Sequence, residues 1–393
     1  MFKFRNRGIW KISRGMFFAS LGFASVASIL AIYLESFVHN DATVGFIFAG
    51  IMFISFISYF VIVPFLEKRD KSKVYFLSLV LTAAGYCMYY FVNNLFLFVL
   101  LMAIIIIISV LNLTSRGLIV EHLSDKQHLA RDEGFAFTSM NLAWAVGPLM
   151  VGFLLAYITE RHIFLLAALM MLLSAFVFKI SKIKYSGINK KVHKDFVKNF
   201  RSFFTNKERV KVYILNAGVT FWWSLIFIYS PLFIIKYFEH SYVGYFLFFS
   251  MLPLVLTEYY AGKKASEIGY KKIFITGYLI SGILAVACFF IGNVYFILAA
   301  LCFAGFGIGL TEATTESYFF DILKKGEDQR YYAPYNTGID AGQITGQFIP
   351  ALILLVLPFK AIFLFFGIVM LLLAVLSLKI KDIVEVKRKG VFY

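Results

Sequence analysis

The chain predicts an all-α integral membrane protein, with twelve transmembrane helices in two pseudo-symmetric six-helix bundles. Three observations lead there. The first is composition: of 393 residues, 61% are hydrophobic and 15% charged, with a mean hydropathy of +0.81. Soluble domains run nearer about 25% charged, so lipid must be the solvent for this much apolar surface. The second is patterning. Long apolar stretches alternate with short polar gaps, and a bilayer core needs ~20 apolar residues per spanning helix. Alternating strands of ~10 residues, the mark of a membrane β-barrel, are absent. The third is a repeat of half the chain length. NLTSRGLIVEHLSDKQHLARDEGFAFTSMNLAWAVGPLMVG (112–152) is answered about 199–200 positions later by EATTESYFFDILKKGEDQRYYAPYNTGIDAGQITGQFIPAL. Glu121 pairs with Asp321, Arg131 with Arg330, Asn141 with Asp340, Ala143 with Gly342 and Gly147 with Gly346. Such a repeat in an apolar chain implies two similar membrane bundles.

The spans follow in order. The first, 13–35, is too long for a cleavable signal and has no small-residue cleavage site after it. The second, 43–65, opens on Thr43-Val44-Gly45-Phe46 and leads into the basic turn VPFLEKRDKSKV. The third and fourth, 74–92 and 95–120, are joined by Asn93-Asn94 alone, so they are antiparallel neighbours. The fifth is 135–158 and the sixth 162–181. The lysine-rich connection 182–211 carries Phe196, Val197, Phe200, Phe203 and Phe204 at helical spacing, which reads as an amphipathic helix on the inner membrane surface. The seventh span is 212–235. The eighth, 242–261, opens on Tyr242-Val243-Gly244-Tyr245 and leads into AGKKASEIGYKKI, as the second does in its half. The ninth and tenth, 271–291 and 294–319, turn at Gly292-Asn293. The eleventh and twelfth, 335–357 and 360–380, turn at Leu357-Pro358-Phe359, with proline as the breaker. The organisation is a bundle over 1–181, a linker over 182–211 and a second bundle over 212–393.

The net charge is +16. It concentrates in the N-terminal tail, after the second span, in the central linker, at Lys263, Lys264, Lys271 and Lys272, and in the tail from Lys379. The alternate loops hold only Arg161, Lys236 and Lys360. That asymmetry is the positive-inside pattern and puts both termini in the cytoplasm, in a multi-pass plasma-membrane protein. Position explains the charge better than nucleic-acid binding does. Cys87, Cys288 and Cys302 sit in apolar stretches as small hydrophobes. The histidines lie in or near loops without ligand spacing, so no metal is expected. Gly305, Gly307 and Gly309 lie within a span and read as packing, not as a nucleotide loop. No nucleophile–base grouping is visible, no cofactor is implied, and an enzyme is not expected.

At this point the chain resembles the major facilitator superfamily of transporters. The likeness covers essentially all of it: six plus six spans, a basic linker, and signature turns after the second span of each half. Gly262, Gly269, Lys271 and Lys272 fit the family's turn in the second half. In the first, Glu67 and Lys68 take the acid and base positions while Val63 and Asp70 replace the glycines. Gly147-Pro148 in the fifth span looks like the glycine–proline motif associated with exporters and antiporters. The Glu-x-x-Glu-Arg of peptide transporters is missing from the first span. The resemblance implies a monomer that works by alternating access.

Charges inside spans are expensive, ~2.5–3.5 kcal/mol on insertion scales, and mark function or pairing. Glu312 and Glu316 are one turn apart on the tenth span, on one helix face. They read as a proton- or cation-binding face, or as structural partners of a base such as Arg116. By the resemblance, Arg116 on the fourth span bridges to Glu316 or Glu312 when the inner side closes; otherwise it snorkels to the headgroups. Asn141 and Asp340 hold matching positions, and with Gln343, Gln347 and Asn112 they make a polar lining. Asn216, Trp222 and Trp223 lie on the seventh span, which often lines the cavity in this family. Their indoles either stack on a cationic or aromatic solute or pack. Glu121, Arg131, Asp321 and Arg330 border the inner loops and read as hinge-side salt bridges, each worth little alone. Small residues four apart, as at Ala143/Gly147 and Gly342/Gly346, allow close helix approach.

The expected function is proton-coupled export of a small organic solute. Uptake by symport or uniport is the alternative, and a transporter-shaped receptor or lipid-handling protein is the reading from another class. The partners expected are a small-molecule substrate, the bilayer and H⁺ as coupling ion, with no nucleic acid.

Overall fold

The computed structural model describes residues 7–67, 69–124, 129–185, 196–324 and 327–382. All regular structure among them is helical: α1 (Arg7–Val38), α2 (Asp41–Glu67), α3 (Lys71–Phe91), α4 (Leu95–Leu123), α5 (Leu129–Leu154) and α6 (Glu160–Ile180) come first. The short α7 (Phe196–Phe204) falls in the central connection. Then come α8 (Lys207–Ser224), a π-helical turn (Leu225–Tyr229), α9 (Ser230–Ile234), α10 (Ser241–Ile268), α11 (Tyr270–Phe290), α12 (Val294–Ile322), α13 (Asp328–Leu354) and α14 (Ala361–Ser377). Counting α8, the π turn and α9 as one span gives the twelve expected.

Eight of these helices, among the described residues, are long and apolar enough to cross a bilayer. α5, α10 and α14 contain shorter apolar stretches, Thr138–Leu154, Ser241–Thr257 and Ala361–Ser377. The remaining helix is α13, whose apolar character is diluted by Asp340, Gln343 and Gln347.

Boundaries moved where capping chemistry overrode hydropathy. The seventh span starts at Lys207, ahead of the expected 212, because the Asn206 side chain accepts hydrogen bonds from the Glu208 and Arg209 amides at 2.9 and 3.2 Å. An N-cap of this kind satisfies amides that the first turn leaves free. The same span is interrupted where an unbroken helix over 212–235 was expected. Pro231 has no amide hydrogen to give to the preceding turn, and the chain widens into the π turn just before it, the Ser230 amide reaching back to the Leu225 carbonyl. The turns at Asn93-Asn94 and Gly292-Asn293 work alike. Asn94 caps α4 through the Leu97 amide and Asn293 caps α12 through the Tyr295 amide, at 3.1 and 2.8 Å. α1 begins at Arg7 rather than 13, so Lys11 and Arg14 ride on the helix itself.

Two compact units emerge. One comprises Met1–His39, Gly50–Val192 and Phe238–Phe248; the other comprises Asn40–Ala49, His193–Tyr237 and Phe249–Tyr393. The division differs from the simple one over 1–181 and 212–393 because the opening turns of α2 and α10 are exchanged. In the first unit α1 packs on α4, α5 and α6, and α3 on α4 and α6. In the second, α8 packs on α12, α13 and α14, and α11 on α12 and α14. The two lists are the same list shifted by half a chain, so the sequence repeat is a structural repeat.

Single residues show it too. A Cβ on Gly147 would lie 2.8 Å from the Ala24 Cβ and 3.5 Å from the Leu21 carbonyl oxygen. A Cβ on Gly346 would lie 2.9 Å from the Phe221 carbonyl oxygen and 3.0 Å from the Ser224 Cβ. Leu21 and Ala24 stand to Phe221 and Ser224 as one half stands to the other, and both glycines bring backbones together by lacking a side chain. Gly244 likewise meets Gly152 within the first unit, and Gly45 meets Ala351 within the second.

The central connection is more than a surface helix. Phe203 is fully buried, with its ring near Tyr213, Phe319 and Tyr331. The Arg209 guanidinium donates to the Ser202 and Phe203 carbonyls at 2.9 and 3.2 Å and covers the Tyr331 ring at 4.0 Å. Lys198 and Arg201 stay exposed, so the amphipathic pattern serves docking on α8 and α13. The side chains of Phe196 and Val197 lie outside the described residues.

Candidate functional site

The second unit gathers most of the expected polar residues. Glu312 of α12 is half-buried, and its Oε2 accepts a hydrogen bond from the Trp223 Nε1–H of α8 at 3.0 Å. An indole N–H can only donate, so a carboxylate is a fitting partner, and a charge-assisted bond of this kind is stronger than a neutral one. Glu316, one turn on, has a different partner: the Tyr332 hydroxyl of α13 donates to its Oε1 at 2.7 Å. Tyr332 is held in place by stacking on Phe320, ring centroids 5.6 Å apart. The two carboxylates therefore share one face of α12 and pin it to two neighbouring helices. The two tryptophans part company: Trp223 reaches Glu312, whereas Trp222 is fully buried.

α8 and α13 meet in a second polar cluster. Asp340 is buried and lies within electrostatic reach of the Tyr213 hydroxyl, to which Thr337 donates at 3.5 Å. Asn216, on the next turn of α8, sits against Gly338, where an added Cβ would be 3.3 Å from its Nδ2. That nitrogen has no hydrogen-bond partner among the described residues. Further along α13, Gln343 is half-buried and Gln347 buried, the Gln347 main-chain carbonyl accepting a bond from the Tyr229 hydroxyl.

The first unit holds the basic counterpart. Asn112 is buried and donates through Nδ2 to the Ser78 Oγ at 3.0 Å, tying α4 to α3. Arg116, one turn on, is 8% exposed. It lies inside the unit near the Tyr59 and Tyr75 hydroxyls, and it forms no salt bridge among the described residues. A guanidinium withdrawn from water at this cost must be retained for a reason other than solubility. Asn141, equivalent to Asp340, is half-buried on α5.

The remaining expected positions take diverse roles. Gly147 and Pro148 are buried, the glycine as the packing contact described above. Gly269 caps α11 with φ +92°, a region that L side chains avoid, which gives the signature turn its glycine. Gly262 lies within α10. The Asp321 Oδ2 accepts from the Tyr270 hydroxyl at 2.9 Å. Arg330 donates from Nε to the Asn199 Oδ1 of α7 at 2.8 Å, an amide where an acid was expected. Glu121 is exposed. Lys68 and the side chains of Glu67 and Arg131 lie outside the described residues.

Sequence reasoning missed the tyrosines. Tyr213, Tyr229 and Tyr332 each bond a polar group of α13 or α12, yet a tyrosine in a chain with 23 of them carries no local signal. It also missed His240, between α9 and α10, which bonds the Glu160 carboxylate through Nδ1. No group of three metal-ligating side chains exists among the described residues.

The model of the Major Facilitator Superfamily matches residues 12–257 and 238–390. The chain belongs to the major facilitator superfamily. It is a membrane transporter, not an enzyme, and its helices carry the superfamily's twelve-span fold. Solved structures share that fold across nearly the whole chain. A POT family transporter in complex with 5-aminolevulinic acid superposes with a TM-score of 0.79 at 15% identity, covering 96% of each chain. Another, in complex with a thioalcohol-conjugated peptide, gives 0.75 at 15% identity over 95% of each. A peptide transporter POT in complex with sulfate gives 0.76 at 12% identity, over 96% of this chain and 95% of that one. No curated protein sequence matches this one. At these identities the likeness to solved structures concerns fold alone.

Proposed function

We propose that this superfamily member is a proton-coupled secondary transporter of a small organic solute in the plasma membrane. In this reading it works as a monomer by alternating access, its termini are cytoplasmic, and Glu312 takes the coupling proton. The observation that carries the reading is the Trp223–Glu312 bond. A half-buried carboxylate inside an apolar helix, bonded to the indole of a neighbouring helix, is a group whose charge matters to how α8 and α12 pack. Protonation weakens the bond from charge-assisted to neutral, so proton occupancy and helix packing are linked. Glu316, tied to α13 by Tyr332, extends the same link, and Asp340 with Asn216, Gln343 and Trp223 supplies polar groups for a solute. In the first unit, Arg116 is a buried cation.

Export is the direction suggested by Gly147-Pro148. Uptake is the second reading: Gly147 packs on Ala24 and Gly346, with no proline after it, makes the equivalent contact, so packing accounts for the glycine without export. The POT structures bound to 5-aminolevulinic acid and to a conjugated peptide support a zwitterionic or acidic solute under either direction.

The test is lumenal pH in proteoliposomes across a panel of amino acids, short peptides and aromatic carboxylates, for the wild type and Glu312→Gln. Solute-dependent proton movement that disappears in the variant supports the assignment. Proton movement that survives removes Glu312 from the role, and solute flux without proton movement removes proton coupling. The sign of the gradient that drives accumulation gives the direction.

A further inference from the structure

We propose that a cavity between α1 and α5 in the first unit binds a small amphipathic organic anion. The cavity has a volume of about 320 Å³, within the ~300–1,000 Å³ of small-molecule sites. α1 contributes Trp10, Ser13, Arg14, Phe17 and Phe18. Their spacing of three, four, seven and eight residues from Trp10 makes them one face of the helix. α5 closes the other side with Phe135 and Ser139. The wall is braced there, because the Ser139 Oγ donates to the Ser13 carbonyl oxygen at 3.1 Å.

The lining sorts into two chemistries. Trp10, Phe17, Phe18 and Phe135 offer aromatic surface for a flat or apolar body. Arg14 and Ser13 offer hydrogen-bond donors. The Arg14 guanidinium carbon lies 4.7 Å from the Trp10 ring centroid, and guanidinium groups bind a carboxylate or phosphate in a two-pronged fashion. Among the described residues no acid forms a salt bridge with it.

Ser13 is the second, independent observation. It is 1% exposed, yet its hydroxyl has no hydrogen-bond partner among the described residues. A buried hydroxyl normally finds one, and a helical serine has a carbonyl one turn back within easy reach. A serine that does neither, on the wall of a cavity beside an arginine, is placed to donate to a ligand. Arg7 and Lys11, exposed on the same helix, add a positive field that draws anions.

Binding is measured at equilibrium, with no gradient, on the full chain in phosphatidylcholine nanodiscs. The probe is 2-naphthoxyacetate, compared with the matched alcohol 2-(2-naphthyloxy)ethanol, and partitioning into empty nanodiscs is subtracted. The wild type is expected to prefer the acid by about tenfold or more, as loss of a charge-assisted pair implies. Arg14→Gln removes that preference and leaves the alcohol unaffected. Ser13→Ala weakens the acid a few-fold while the thermal midpoint stays level or rises, since an unpartnered buried hydroxyl stabilises nothing; a merely structural serine would show the reverse. Equal affinity for acid and alcohol, no binding, or affinity untouched by Arg14→Gln overturns the proposal. So does displacement of the probe when phosphatidylglycerol is added, because the cavity then belongs to lipid headgroups. Extending the site to a transported solute rests on the transport reading. Flux without this binding, or this binding without flux, separates the two failures.

Discussion

Replacing Trp223 by Phe keeps an aromatic six-membered ring but removes the pyrrole part of the indole, and with it the donor that Trp223 aims at Glu312, 3.0 Å away. Hydrogen bonds to charged groups contribute ~1.5–3 kcal/mol and neutral ones ~0.5–1.5 kcal/mol. Both partners are half-buried, so the lower part of the first range applies, about 1.5–2 kcal/mol for Trp223→Phe. Glu312→Gln keeps an acceptor oxygen in place and loses only the charge assistance, about 1 kcal/mol. In the double variant the indole bond is no longer there for the loss of charge to weaken, so the two losses should fall short of adding by about 1 kcal/mol, where independent sites add within ~0.3–0.5 kcal/mol. At ~2–4 °C per kcal/mol for a unit of this size, Trp223→Phe lowers the unfolding midpoint by roughly 3–8 °C. The assay is thermal unfolding of the purified chain in detergent at neutral pH, for wild type, both single variants and the double. Trp222→Phe is the control: Trp222 is fully buried and makes no bond to Glu312, so its loss should add to that of Glu312→Gln. Strict additivity of Trp223→Phe with Glu312→Gln would refute the claim that these two side chains form an energetic unit.

Three further outcomes are expected. Gly147→Ala costs about 1–2 kcal/mol of stability by overpacking against Ala24, Ala24→Gly in the same chain recovers most of it, and Gly50→Ala, whose Cβ meets nothing within 4 Å, is neutral or slightly stabilising; unfolding midpoints decide. His240 has its pKa raised by the hydrogen bond to Glu160, against desolvation and with help from the charges of Glu160 and Glu35. Its stabilising contribution is therefore full below the ordinary imidazole value of ~6.5, is lost as pH rises through the raised folded-state value, and His240→Gln should flatten the midpoint-versus-pH curve in that window. Arg209→Ala releases α7 from its carbonyl contacts, so limited proteolysis should cut the central connection faster, and Arg209→Lys should rescue only partly because an ammonium cannot span both carbonyls while covering Tyr331.

The fold was legible because the physics behind it is local and repetitive. Apolar runs of spanning length are forced by the bilayer, and asparagines at 94 and 293 announce their helix starts whatever surrounds them. The half-chain repeat told which glycines to compare, and Gly147 and Gly346 do make equivalent contacts, down to Leu21 and Phe221. Less legible were the points where a side chain's partner lies far along the chain. Hydropathy missed the start of the seventh span at Lys207, since Asn206 acts through hydrogen bonds and not through polarity. It also read Phe203 as surface-seeking, although the ring is buried beside Tyr213, Phe319 and Tyr331.

The sequence by itself determined the solvent, the number of spans and the two-fold internal symmetry, because these follow from composition, from the length of apolar runs and from the half-chain repeat; its signature turns carried the resemblance to the superfamily. It also named the titratable residues that the membrane would tolerate only for cause. Only the tertiary structure decided what each of them touches. It separated Trp223, bonded to Glu312, from its neighbour Trp222, which is interior packing. It gave Glu316 to Tyr332 and Arg330 to Asn199, buried Arg116, and set Ser13 and Arg14 on the wall of a cavity. Those choices depend on which helix faces arrive beside one another. That is fixed by the fit of small residues on one helix against the backbone of the next, a quantity that no stretch of a single helix contains.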